Sequence, residues 1–134
     1  MLARVEDIGA RHDVLIANIA HAGDGNLHPV LITKHGDDAA RVRAQAAFDD
    51  IVNVAIDLGG TVTGEHGVGV EKLNSMCVQF SPDERALMEG VKRAFDPAGL
   101  LNPGKVIPTL QRCAEYGKMH VKKGLLPFPE LERF

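Results

Sequence analysis

The sequence predicts an α+β domain in which helices cover one face of a mainly antiparallel sheet. Apolar residues recur at helical spacing in separate stretches, and two short apolar runs flank an Asp-Gly-Asn turn. Glycine pairs and prolines mark the changes of pattern. The order read from the residues is helix, strand, strand, helix, strand, helix.

Leu2, Val5 and Ile8 are spaced by three and form the stripe of an amphipathic helix, which Gly9 is expected to stop. A domain that opens partway along a helix is expected to belong to a longer protein. Val14-Leu15-Ile16 and Ile19-Ala20 read as one strand and Val30-Leu31-Ile32 as the next, with Asp24-Gly25-Asn26 between them. Glycine takes positive φ freely and Asn and Asp tolerate it, so this tripeptide forms a turn. A long helix starts at Gly36-Asp37-Asp38 and runs to about Leu58. Its stripe is Phe48, Ile51, Val52, Ala55 and Leu58, and Gly59-Gly60 ends it. Thr61-Val62-Thr63 is expected as a short strand leading into the glycine-rich residues 64–69. Ser81-Pro82-Asp83-Glu84 starts a further helix, with Ser as the cap, Pro at the first position and Glu three residues after the cap. That helix continues to about Phe95, where Asp96-Pro97-Ala98-Gly99 breaks it. Residues 100–105 form a turn-rich link, and from Pro108 a polar tail with Pro127 and Pro129 is expected on the surface.

Composition narrows the functions available. One compact domain is expected for 134 residues. Hydrophobic content of 45% and charged content of 25% are ordinary globular values and speak against disorder. The net charge is −3 and no basic run exceeds Lys122-Lys123, so nothing invites nucleic acid or an anionic membrane. No apolar stretch approaches the roughly 20 residues of a spanning helix, and residues 1–11 have no secretory core. Cys77 and Cys113 are isolated, without Cys-x-x-Cys spacing, so a reduced cytoplasmic compartment is expected. The absence of Trp argues against a stacking surface for bases or sugars.

The chemistry is concentrated in His21-Ala22-Gly23-Asp24-Gly25-Asn26-Leu27-His28 and in Gly64-Glu65-His66-Gly67. Two imidazoles and a carboxylate suit a divalent transition metal with open positions. A spare imidazole suits a proton abstraction beside that metal. If the hairpin closes symmetrically about Gly25, His21 and His28 stand nearly opposite each other, with Cβ atoms about 4.5–5.5 Å apart on one face. The bland alternative is a plain Asp-Gly hairpin with solvated histidines at its strand ends. Residues 64–69 read Gly-x-x-Gly-x-Gly, the reverse of the dinucleotide fingerprint, and make a weak phosphate cradle. Glycines there let the backbone approach a ligand closely while presenting Glu65 and His66. Adjacent Glu65 and His66 cannot face one point from a regular strand, whereas an irregular loop removes that restriction. The residues alone leave open which of the two binds the ion. His12, His35 and His120 are expected at the surface.

Three motifs stand in order along the chain: His-x-Gly-Asp-Gly-Asn-Leu-His at 21–28, Gly-Gly-Thr-Val-Thr-Gly-Glu-His-Gly-Val-Gly-x-Glu-Lys at 59–72, and Phe-Asp-Pro-x-Gly-Leu-Leu-Asn-Pro-Gly-Lys at 95–105. Together they resemble the C-terminal part of FAD-linked 2-hydroxy-acid oxidoreductases, the family of the FAD-binding subunit of glycolate oxidase and of D-lactate and D-2-hydroxyglutarate dehydrogenases. The resemblance makes residues 1–106 the C-terminal part of the substrate or cap domain and 107–134 a C-terminal tail packed on the surface. It implies a ferredoxin-like fold, of which this chain is the second half. It also implies FAD, bound mainly by a separate domain upstream, and a divalent metal, often zinc, held by His21, His28 and Glu65. His66 is then the base that takes the hydroxyl proton of a small 2-hydroxy acid while the α-hydrogen passes to the flavin. Asn102 and Lys105 are implied near the flavin or substrate.

The basic residues that grip the substrate carboxylate in relatives lie upstream of this stretch. The chain is therefore expected to be a fragment, inactive and flavin-free by itself. Other oxidase subunits are the implied partners, with a place in the cytoplasm or at the inner membrane through a complex. Self-association is expected over the exposed half-site. Two readings compete: a freestanding metal-dependent hydrolase using a metal-bound water, and an interaction module whose tail docks another subunit while the histidines are incidental.

Overall fold

The computed structural model describes residues 1–108. The elements run α1 (Leu2–His12), β1 (Leu15–His21), β2 (Asn26–Ile32), α2 (Asp38–Asp57), α3 (Leu73–Gln79) and α4 (Pro82–Phe95). They form the expected α+β arrangement, with an incomplete, two-stranded antiparallel sheet. The tail expected on the surface, with Cys113 and His120, lies outside the described residues apart from its first positions.

α1 passes Gly9 and stops instead at Asp13, whose left-handed φ of 52° lets its N–H reach Ala10 O. Gly9 has a different use. A Cβ there would sit 3.0 Å from Val14 O and 3.2 Å from Ile16 Cδ1. Its bare backbone lets β1 fold back tightly against the helix. Val5, Ile8 and Val14 then meet Ala47 and Ile51 of α2 in one core, which Ile16 and Leu31 of the hairpin also enter. Side chains alternate along a strand, so Leu15, Ile19, Val30 and Ile32 stand on the other face, where all four are exposed.

α2 begins and ends where the sequence predicts. The Asp37 carboxylate accepts from Ala40 N at 2.9 Å, satisfying an N–H that the helix leaves unpaired. At the other end Gly59 adopts φ 80°, and Gly60 N donates to Ala55 O at 2.8 Å. The strand expected at 61–63 does not form. Val62 N donates to the Gln79 side chain at 2.8 Å rather than to a neighbouring strand, which leaves the segment irregular.

α3 is absent from the sequence expectation. It forms because Leu73 and Met76 enter a second core with Val52, Val62 and Val68, against which Phe80 also packs. α4 has its expected start: Ser81 Oγ accepts from Glu84 N, and the Glu84 carboxylate accepts from Ser81 N at 2.7 Å. None of the described helices is long and apolar enough to cross a membrane.

Candidate metal centre

The hairpin does not close symmetrically about Gly25. His21 pairs with Asn26 and Ile19 with His28, so the loop is the four residues Ala22 to Gly25. Asp24 N donates to His21 O at 3.1 Å to close the turn, and Gly25 supplies a positive φ of 69° as the chain enters β2. The two histidines are therefore diagonal rather than opposed. They remain on one face, since Asn26 and His28 are two residues apart. Diagonal neighbours stand about 7–8 Å apart at the backbone, within reach of long side chains. The rings close that gap, with centroids 5.2 Å apart in an edge-to-face arrangement.

The irregular stretch after α2 brings the carboxylate. Gly64 lies against β2 so closely that a Cβ would come 2.4 Å from Asn26 Oδ1. That close approach delivers Glu65 to the rings. Glu65 Oε1 is 2.9 Å from His28 Nε2 and 3.4 Å from His21 Nε2. Ligand atoms of these three residues all lie within 4.8 Å of one another. Tetrahedral bonds of about 2.0–2.1 Å separate neighbouring donors by about 3.3 Å, so the spacing suits one small ion with little rearrangement.

His66 reaches the same carboxylate oxygen from the next residue, with Nε2 3.5 Å away and its ring 5.0 Å from that of His28. Adjacent residues converge here because residues 64–67 are not a strand, and Gly67, at φ 81°, turns the chain away again. His66 lies outside the group of three close donors. Its side chain is 73% exposed and that of His28 only 24%, so the cluster has a fixed inner ring and an open outer side.

Asn102 and Lys105 are not drawn into this cluster. They lie on an exposed turn after α4, where the Lys105 ammonium points to Asn102 Oδ1 at 3.4 Å. That turn is tied to the second glycine-rich stretch through Val106 N, which donates to Gly69 O at 2.9 Å. Beside the cluster is a cavity of about 650 Å³ that His28, Glu65 and His66 line together with Asn26, Thr63 and Lys72. Sequence reasoning assigned these last three no role at the site. All lie within its motifs, but nothing local says that their side chains border one space.

The family model described as FAD linked oxidases, C-terminal domain, matches residues 1–106. The chain is 49% identical to the glycolate oxidase subunit GlcD of Escherichia coli strain K12 over 134 residues, which are 100% of this chain and 27% of that protein. It is 42% identical to GlcD of Bacillus subtilis strain 168 over 106 residues, 79% of this chain and 23% of the relative. A D-lactate dehydrogenase of Anaerostipes hadrus is 35% identical over 106 residues, 78% of this chain and 22% of the relative. The chain thus spans about a quarter of the length of these curated relatives.

Proposed function

This chain belongs to the family of FAD linked oxidases, C-terminal domain, and on that premise we propose that it supplies the metal ligands and the base of a flavin-dependent oxidoreductase. The substrate is a small 2-hydroxy acid of the glycolate or D-lactate type, and the product is its 2-oxo acid. The main support is the convergence of His21, His28 and His66 on one oxygen of Glu65.

The donor set fits a divalent ion such as zinc: two imidazole nitrogens and one carboxylate, with ligand atoms all within 4.8 Å of one another and the group partly open to solvent. Such an ion, when bound, polarises an α-hydroxyl and makes its proton easier to remove. His21, His28 and Glu65 hold the position. Three protein donors leave room for a substrate oxygen, as in catalytic rather than structural sites. His28 is the least exposed of the rings and stands between the other two, with centroids 5.2 Å and 5.0 Å away, so it sets their spacing. His66 Nε2 lies at the open side and accepts the hydroxyl proton.

The flavin has no comparable fit among the described residues. Asn102 and Lys105 are on an exposed turn and bond to each other, whereas ligand pockets enclose about 70–90% of a comparable molecule. No step is assigned to them. Other oxidase subunits are the proposed partners of the whole protein.

Elemental analysis of tag-free protein tests the metal reading. The wild type is expected to carry stoichiometric divalent metal, His21→Ala to lose it, and His66→Ala to keep it. In a full-length, flavin-loaded enzyme carrying this segment, His66→Ala is expected to lower turnover by about 10²–10⁴. If His66→Ala also empties the site, the division of roles between Glu65 and His66 is wrong. A wild type that binds no metal would overturn the metal reading altogether.

A further inference from the structure

Cys77 lies in the last turn of α3, half-buried, and it is disulfide-bonded. The chain contains one other cysteine, Cys113, five residues past the last described one. Within a single chain Cys113 is therefore the partner. The two stand 36 positions apart, so no local spacing announces the bond.

α3 has only seven residues, and a helix that short is marginal without tertiary anchors. It nevertheless holds both ends of the loop carrying Glu65 and His66. Before that loop, Val62 packs with Leu73 and Met76, and its N–H donates to the Gln79 side chain at 2.8 Å. After it, Val68 joins the same core, and Val68 O accepts from Lys72 N at 3.3 Å. The Cys77 carbonyl in turn accepts from the buried Arg85 of α4 at 3.3 Å. A covalent link at Cys77 thus acts on the element to which the loop is fastened.

We propose that Cys77 and Cys113 form a reversible disulfide that braces α3, and through it the loop carrying Glu65 and His66. The bond forms by exchange with a low-molecular-weight disulfide. One cysteine thiolate attacks a sulfur of the reagent and expels a thiolate; the second attacks the resulting mixed disulfide and expels the other. Two cysteine thiols are oxidised, one reagent disulfide is reduced to two thiols, and the two protons pass to the leaving thiolates. Closing a loop of this length restricts the unfolded chain, so the bond favours the state in which α3 is docked. In a reducing compartment a bond of this kind serves sensing rather than permanent structure, and Cys77, half-buried rather than enclosed, is open to a small thiol. The brace uses none of the proposed metal donors and stands whether or not they hold an ion.

Peptide mapping and hydrogen exchange of the 134-residue protein in glutathione buffers test this. In oxidised glutathione the peptide bearing Cys77 is expected to be linked to the peptide bearing Cys113 of the same chain, and dithiothreitol should separate them. Amides at 61–69, Val62 above all, should exchange about tenfold or more faster in the reduced protein. Cys113→Ser should exchange at the reduced rate in both buffers. Two thiols that stay open to alkylation throughout, or links only to glutathione or to a second chain, would overturn the proposal. So would a bond that forms but whose reduction leaves exchange at 61–69 unchanged, because the disulfide would then be no brace for the loop.

Discussion

Gly64 shows how a residue with no side chain can position the site's carboxylate. A Cβ there would come 2.4 Å from Asn26 Oδ1, yet the obstacle is the end of a side chain rather than backbone. Residues 64–67 are exposed and irregular, so the loop can move off Asn26 with little loss of packing, and Gly64→Ala should leave stability within about 0.5 kcal/mol of wild type. The loop carrying Glu65 must then stand off from β2, and zinc affinity should fall. Urea unfolding and competition with a chelating dye separate the two effects. Unchanged zinc affinity would show that this contact does not hold the loop. The histidines were legible from their residue types and turn, but their diagonal relation was not, because Gly25 lies at the end of the loop rather than at its centre.

The elements divide by how local their causes are. α2 and α4 were readable because their caps lie within three or four residues of the groups they satisfy. The C-terminal end of α4 adds a clamp that the Asp96-Pro97 break did not disclose. Asp96 is 8% exposed, pairs with Lys92, and accepts from Leu100 N and Leu101 N at 2.9 Å each. The hydrogen bond from Lys92, then that from Leu101 N, pulls its carboxyl from the ordinary 3.8 down to about 2. The folded protein thus holds the deprotonated form more strongly than the unfolded chain does. The resulting stabilisation is full above the ordinary carboxyl range and is lost as pH falls from about 4 through about 2. Asp96→Asn is expected to lower Tm at neutral pH and to flatten the decline of Tm over that acid window. Calorimetry across pH checks this, and an unaltered acid slope would mean that other carboxylates dominate it.

At the scale of the whole molecule, the described residues cover the hairpin on one side only. Leu15, Ile19, Val30 and Ile32 are 69%, 62%, 46% and 48% exposed on the face that also carries His21 and His28. A contiguous apolar surface of this kind is costly in water and promotes association. The purified 134-residue chain is therefore expected to self-associate with rising concentration, and Ile19→Lys with Val30→Lys should suppress it. Sedimentation velocity decides, and a wild type that stays monomeric throughout would refute the expectation. The same preparation should be colourless, without flavin absorbance, because Asn102 and Lys105 give no enclosure and a net charge of −3 gives little attraction for a pyrophosphate.

The amino-acid sequence by itself determined that two histidines and a Glu-His pair stand in glycine-bearing turns, where α2 and α4 start, and that a hairpin separates His21 from His28. Each follows from residue type, turn chemistry or contacts within one helical turn. Tertiary structure decided the register of that hairpin, the loss of a strand at 61–63 to the Gln79 side chain, and the formation of α3 around Leu73 and Met76. It also decided that Glu65 and His66, adjacent in sequence, both come to the His28 ring. Those outcomes depend on which of several distant partners satisfies a backbone N–H or covers an apolar side chain, and only the packed chain makes that choice.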